Sequence, residues 1–236
     1  MDDTRLHDDL VAMLRDMRQA ERDVFGSLDP AVRDAPLRPG DWSAKDHQAH
    51  LTAWKARQAR RYALFRAGQE LPPVEGDETD ALNAELQAAR ADWTWDGIVD
   101  EADQVGEQLI AEILATDPAL IAGSERLLGG TFGNGAFHAM THFGWLVEAG
   151  IGVDPGRVRR YLDEVSGLVR GGSLPEREVG TALYNIACVH AMAGELEAAR
   201  SLLPEAFGLR PDLVDFARTD SDLTRLHAEL DDLAAG

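Results

Sequence analysis

The sequence Asp-Trp-Ser-Ala-Lys-Asp-His-Gln-Ala-His-Leu-Thr-Ala-Trp occupies residues 41–54 and contains the start of a long helix. Ser43 is a favourable N-cap residue, and Asp46 stands three positions later, where an acidic side chain can bond back to the amide of the N-cap residue. The helix is expected to continue to about Arg66, because a glycine and two prolines follow it. This one helix therefore carries both His47 and His50.

Apolar residues recur at three- and four-residue steps in most other parts of the chain, as is typical of amphipathic helices. The glycine-rich stretch at 129–135 is expected to be a flexible loop that leads into the helix after it. No alternating strand pattern persists, so we predict an all-α protein. The helical patterns lie at residues 4–26, 77–92, 96–115, 136–149, 156–170, 176–193 and 195–208.

The clearest boundary in the sequence is marked by Gly150, Gly152 and Pro155. Glycine and proline at this density end a helix and are typical of a connection between folding units. We therefore predict two domains. Residues 1–152 form a helical bundle, and residues 153–236 form a smaller helical domain.

The chain is strongly acidic, with 42 Asp and Glu residues, 23 Lys and Arg residues and a formal net charge of −19. Such a surface repels phosphate backbones and anionic lipids, so nucleic-acid and membrane partners are not expected. A local exception is the basic strip at residues 57–61, Arg-Gln-Ala-Arg-Arg. It could hold one anionic group, but a solvated helix face is the reading we favour.

The single cysteine, Cys188, excludes an internal disulfide and a cysteine-rich metal site. It falls in an apolar helical pattern, so a buried core position is favoured over a nucleophile. No apolar run is long enough to span a bilayer, and the first residues are polar and acidic, unlike a signal peptide. We therefore expect a cytoplasmic protein.

His138 and His142 lie four residues apart and so on one face of one helix, where both imidazoles can reach a single divalent ion. Such a spacing is weak evidence alone, but several large apolar residues surround the pair, and buried imidazoles need polar partners or a metal. A third ligand should come from a neighbouring helix. We choose His50, which stands between apolar neighbours well inside its helix, and keep His47 as the reserve.

Three neutral imidazoles with one open position form the ligand set of a catalytic rather than a structural zinc site. Metal in such a site would lower the pKa of a water molecule in the open position towards about 7. Zinc is the expected ion, but nickel and ferrous iron also suit imidazole ligands. Asp46 and Asn134 each stand one turn before a candidate ligand and are weak candidates for orienting it; a helix-start role is favoured for Asp46. Trp42, Trp54, Phe137 and Trp145 could wall the pocket, although aromatic residues in a helical bundle are more often core.

Residues 41–54 resemble the second-helix motif of the DinB superfamily, and most closely its ClbS/DfsB-like branch. The pair His138 and His142 resembles the histidine pair on that family's last bundle helix. The resemblance covers roughly residues 1–150. It implies a four-helix bundle with a long crossover and a metal site made of three histidines. Lys55 departs from the branch pattern, since an acidic residue usually follows this tryptophan, and an acid or base role does not carry over to it.

Members of this superfamily include thiol-dependent transferases and isomerases, and the ClbS/DfsB-like branch includes a hydrolase of a reactive metabolite. The resemblance thus implies a metal-dependent hydrolase or thiol transferase that acts on a small reactive molecule, with a metal-bound water or thiolate as the nucleophile. The alternative is a non-catalytic binding or adaptor protein that uses its helices for protein contacts. No phosphate loop, dinucleotide fingerprint or serine nucleophile motif points to another activity.

The C-terminal region resembles a tetratricopeptide repeat. With Gly194 placed between the two helices of one repeat, small and apolar residues and a proline fall at the expected positions: Leu183, Ile186, Ala187, Ala199, Leu203, Ala206 and Pro211. One repeat cannot bury its own faces, so the flanking helical segments should cap it. The resemblance implies a region for packing or for protein contacts, with a homodimer as one outcome, more than a peptide receptor.

Overall fold

In the computed structural model, residues 3–37, 41–72, 79–171 and 174–235 are described, and they form a helical protein. Within these ranges there is no β-strand, which confirms the all-α prediction, and no helix is both long and apolar enough to cross a membrane. The α-helices are α1 (Asp3–Gly26), α2 (Pro30–Arg33), α3 (Ala44–Arg66), α4 (Thr79–Ala88), α5 (Trp95–Leu114), α6 (Pro118–Ala122), α7 (Glu125–Phe132), α8 (His138–Glu148), α9 (Pro155–Val169), α10 (Glu176–Met192), α11 (Leu196–Leu209), α12 (Leu213–Ala217) and α13 (Leu230–Ala235).

Helices α1, α3, α5 and the run from α7 to α8 pack against one another around an apolar core. Helix α1 turns its regularly spaced apolar residues into this core, where Leu10 and Met17 are fully buried. Helix α3 lies in the centre, in contact with α1, α5, α7 and α8. For this reason its buried residues occur on nearly every face instead of along one stripe.

The start of α3 has the predicted capping box. Ser43 accepts a hydrogen bond from the amide of Asp46, and the Asp46 carboxylate accepts one from the amide of Ser43. The helix ends at Arg66, as predicted, and Gly68 follows it with a left-handed φ of 66°. Such a φ is readily adopted only by glycine. The sequence signals at both ends thus fix the position of His47 and His50 on this helix.

The glycine-rich stretch at 129–135 is helical, so the prediction of a flexible loop was wrong. Helix α7 continues into a π-helical segment (Gly133–Phe137), which continues into α8 without a break. The physical reason is close packing between helices. A Cβ atom added at Gly130 would lie 2.5 Å from Oε1 of Gln58, and one at Gly135 would lie 2.6 Å from Cδ2 of Leu14. These glycines remove side chains where α7 and the π segment meet α3 and α1.

Gly130→Ala is expected to lower the free energy of unfolding by about 1–3 kcal/mol, because the new Cβ would displace the buried Gln58 amide. That amide donates to the carbonyl oxygens of Arg126 and Leu127 and accepts from Arg61. The control is Gly106→Ala in α5, where an added Cβ meets nothing within 4 Å. Since alanine favours the helix, that variant should be stabilised by up to about 1 kcal/mol. Urea denaturation measures both, and equal effects would contradict the packing argument.

Beyond α8, helices α10 and α11 form an antiparallel hairpin that turns at Gly194, whose φ is 81°. The six helical positions chosen for the repeat pattern are buried, and α9 and α13 pack on the hairpin. Helix α9 also packs on α1 and α8, and α10 packs on α8. One apolar core therefore extends from Leu6 to Leu230. The division into domains at residues 152 and 153, and the repeat itself, stay predictions.

Candidate metal centre

Four imidazoles meet where α3 passes α8. The structure brings together His50, His138 and His142, each of which offers a nitrogen atom within 4.8 Å of those of the other two. His50 and His142 are buried and stack at 5.2 Å with an interplanar angle of 16°, while the His138 ring meets each of them edge-on at 4.7 Å. The three residues chosen from sequence thus form one cluster that could hold a metal ion.

The fourth imidazole, His47, lies against the outer side of the cluster. Its Nδ1 is 2.7 Å from Nδ1 of His142, which leaves Nε2 as the nitrogen of His142 that can face an ion. Sequence reasoning kept His47 as a reserve ligand, and the contact supports a different use. A ligating histidine usually makes a hydrogen bond through its second nitrogen, which fixes the ring orientation and the tautomer.

The cluster is held in its neutral form. Burial lowers the pKa of His47 and of His138 to about 4, and that of His50 to about 3. Burial, followed by the neighbouring histidines, holds the pKa of His142 well below the usual value. Neutral imidazole is the form that binds a metal, so at neutral pH the four side chains need no deprotonation before they coordinate.

One distance between candidate donor atoms is close to that expected around a metal ion. Nε2 of His50 and Nε2 of His138 are 2.9 Å apart, whereas two nitrogens bound to one tetrahedral zinc ion lie about 3.3 Å apart, given bonds of about 2.0–2.1 Å. A shift of a few tenths of an ångström is enough to reach that distance. In addition, Nδ1 of His50 is buried and has no hydrogen-bond partner among the described residues.

Aromatic rings surround the imidazoles. Trp42 lies 4.6 Å from His50, Trp145 lies 4.7 Å from His142, and Trp54 lies 5.9 Å from His138, measured between ring centroids. Trp54 and Phe137 also line the adjacent cavity, whereas Trp145 is 39% exposed on another side. These rings exclude water from most of the cluster, which explains why desolvation is the largest cause of the lowered pKa values.

Asp46 and Asn134, the two candidates for orienting a ligand, occupy different settings. The Asp46 carboxylate accepts hydrogen bonds from both the amide and the hydroxyl of Ser43, so its role at the helix start accounts for its contacts. Its charge raises the pKa of His47, although burial outweighs this effect. Asn134 lies in the π-helical segment and lines the cavity beside His138. An orienting role for either side chain stays a prediction.

Close to the cluster lies a buried ion pair that sequence reasoning did not anticipate. Lys55 on α3 pairs with Glu21 on α1, and both side chains are almost fully buried. Gln48 and Arg18 also donate to Glu21, at 3.2 Å and 3.4 Å. Burial lowers the pKa of Lys55, and the ammonium contributes to the lowered pKa of His138. Lys55 therefore has its acidic partner on the neighbouring helix.

One side of the cluster opens into a cavity of about 810 Å³. One wall is formed by His50, Trp54 and Arg61 of α3. A second wall is formed by the α7–α8 run, from Arg126 to Thr141. Helix α10 supplies a third wall. No sequence pattern predicts this wall, because it depends on how the C-terminal helices pack. The volume and the mixture of apolar and polar walls suit a small-molecule ligand.

The basic strip at residues 57–61 is only partly the solvated face that we favoured. Arg60 is exposed, but Arg61 is buried and lines the cavity. Cys188, by contrast, is buried in α10 as predicted, and burial raises its thiol pKa well above the usual value. It is therefore a core residue and a poor nucleophile.

Comparison of the chain with protein-family models, with curated proteins and with solved structures finds no match. The function must therefore be argued from the site itself.

Proposed function

We propose that the protein is a metal-dependent enzyme of the DinB type, a hydrolase or thiol-dependent transferase acting on a small reactive molecule. The observation that carries the proposal is the buried cluster of His50, His138 and His142, which opens on a cavity of small-molecule size. The resemblance of residues 41–54 and of the His138 and His142 pair to the DinB superfamily supports the same reading. A four-helix bundle of the DinB type, followed by one tetratricopeptide-like hairpin, is the architecture that goes with it.

In this proposal, His50, His138 and His142 hold a divalent ion, with zinc expected. Such an ion would supply Lewis-acid chemistry and lower the pKa of a water molecule or thiol that reaches its open position. His47 holds the ring of His142 in place through the contact between their Nδ1 atoms. The surrounding tryptophans exclude bulk water, and the cavity orients the substrate towards the imidazoles.

Metal analysis tests this proposal. Protein purified without a histidine tag should contain about one equivalent of divalent metal per chain, and His138→Ala should lose it. His227→Ala is the matched control: this histidine lies outside the cluster, with Nε2 2.9 Å from the carbonyl oxygen of Asp220, and the variant should keep the metal. After chelation, zinc should raise the melting temperature of the wild type but not that of His138→Ala.

A protein that contains no metal, gains no stability from added zinc, nickel or ferrous iron, and is unchanged by His138→Ala would contradict the proposal. That result would favour the binding or adaptor alternative. If metal is present, turnover assays should compare thiol transfer with hydrolysis of electrophilic amides. Loss of turnover in His50→Ala and His138→Ala, with retention in His227→Ala, would then assign the reaction to this cluster.

A further inference from the structure

Helix α3 and the α7–α8 run lie antiparallel, and the two ends of the cavity beside them differ chemically. At one end, Nε2 of His50 contacts Nε2 of His138. At the other, the Gln58 amide donates to the carbonyl oxygens of Arg126 and Leu127. Twelve residues separate Arg126 from His138, which is at most about 18 Å along a helix axis. The imidazoles are therefore at one end of an elongated cavity, and Arg126 is at the other.

Arginines gather at this second end. Arg61 follows Gln58 by one turn of α3, Arg177 pairs with Glu125 at 2.8 Å, and Arg210 also lines the cavity. Four arginines and two carboxylates, those of Glu125 and Glu178, line the cavity of a chain whose net charge is −19. Arg210 is also paired with Asp212, at 2.6 Å. Burial raises the pKa of the Glu178 carboxyl. A cationic pocket in an acidic protein attracts anions locally while the surface repels them.

Arg126 is distinguished by two guanidinium nitrogens that have no partner among the described residues. Its Nε and Nη2 atoms are buried without a hydrogen-bond partner among the described residues, and only Nη1 makes a contact, 3.5 Å from the carbonyl oxygen of Leu71. A buried, charged donor without an acceptor is costly. The two adjacent donors of a guanidinium fork match the two oxygens of a carboxylate or phosphate, which would satisfy both at once.

We propose that the cavity binds an elongated anion, with a carboxylate or phosphate group on Arg126 at one end and its reactive group at the imidazoles. The placement of the reactive group rests on the proposed function, whereas the anion site rests on the arginines alone. Three glycines, Gly129, Gly130 and Gly133, line the cavity between its ends. The substrate class is thus a small molecule with an anionic tail.

The anion site is tested first without metal. Calorimetric titration of the chelated protein should detect binding of hexanoate or hexyl phosphate but not of neutral hexanamide, and the stronger of the two identifies the anionic group. Arg126→Gln should weaken this binding by about 10- to 100-fold, the loss expected for a hydrogen bond to a charged group. Arg170→Gln, which removes an exposed arginine paired with Glu205, should bind as the wild type does. Equal binding by the wild type and both variants, or no preference for the anions, overturns the proposal.

A second titration tests whether the two ends act on one ligand. The zinc-loaded protein should bind suberic monohydroxamate, which has a metal-binding group and a carboxylate at opposite ends, at least tenfold more tightly than octanohydroxamate, which lacks the carboxylate. Arg126→Gln should abolish this preference and leave octanohydroxamate binding unchanged. Equal binding of both hydroxamates overturns the anion site while the metal centre stands. Failure of both to bind, with hexanoate or hexyl phosphate still bound, counts against the metal centre instead. Arg177→Gln provides a second variant, expected to weaken the same preference, if Arg126→Gln does not fold.

Discussion

Glu21→Ala is expected to lower the free energy of unfolding by about 3–5 kcal/mol, because it would leave the ammonium of Lys55 buried without its counter-charge. Lys55 is nearly inaccessible to solvent, and Glu21 is fully buried. The substitution would also remove the acceptor of Gln48 and of one Arg18 nitrogen. Equilibrium unfolding in urea at neutral pH, followed by circular dichroism, measures the loss.

The double variant Glu21→Leu with Lys55→Met separates the buried charge from ordinary packing. Replacing both members by apolar side chains removes the charge and its partner together, so stability should return to within about 2 kcal/mol of the wild type. A free energy of unfolding for Glu21→Ala within about 1 kcal/mol of the wild-type value would contradict this prediction. It would mean that the Lys55 ammonium reaches water or loses its proton at little cost. The double variant should also raise the pKa of His138, because the Lys55 charge helps to lower it.

Acidification is expected to unfold the metal-free protein between about pH 4 and 5.5. The four clustered histidines have lowered pKa values in the folded protein, against 6.5 in the unfolded chain. Between these values the unfolded chain binds more protons, so stability is fully present above pH 6.5 and falls as the pH decreases towards 4. At pH 5, each imidazole with a folded pKa near 4 lowers the free energy of unfolding by about 2 kcal/mol. The free energy of unfolding of a typical protein is only about 5–15 kcal/mol, so the combined effect of the imidazoles is comparable with it.

The variant His47→Gln provides the comparison. At pH 8 it should be less stable than the wild type, because the contact with His142 is lost. At pH 5 the difference should shrink or reverse, since one imidazole that resists protonation has been removed. Urea unfolding at both pH values measures this interaction. An unchanged difference would show that the cluster does not control the acid transition.

Local signals in the sequence predicted most of the helices and the three histidines that the structure brings together. The capping box at Ser43 and Asp46 and the glycine after Arg66 set the ends of α3 within a residue or two. The spacing of His138 and His142 placed both on one face of α8. These features depend on contacts within a few residues, which a sequence pattern can record.

Features that depend on packing between distant segments were missed. Glu21 looks like any polar residue of an amphipathic helix until α1 packs on α3 and covers it. The same holds for Arg126 and Arg177, which line one cavity only after α10 has packed on α7. At the glycine-rich stretch, low helix propensity argued for a loop, but close approach of α3 and α1 decided the structure.

The π-helical segment has a consequence for how the two ends of the cavity are aligned. An α-helix advances by about 100° per residue, so His138 would be about 120° away from the direction of Arg126 if the run between them were regular α-helix. The wider turn of Gly133–Phe137 takes up about one extra residue and corrects most of this difference in phase. Shortening the segment by one residue would keep either the arginine end or the histidine end in register with α3, but not both. If the two proposals hold, the alignment of anion binding with chemistry depends on this one π-helical turn.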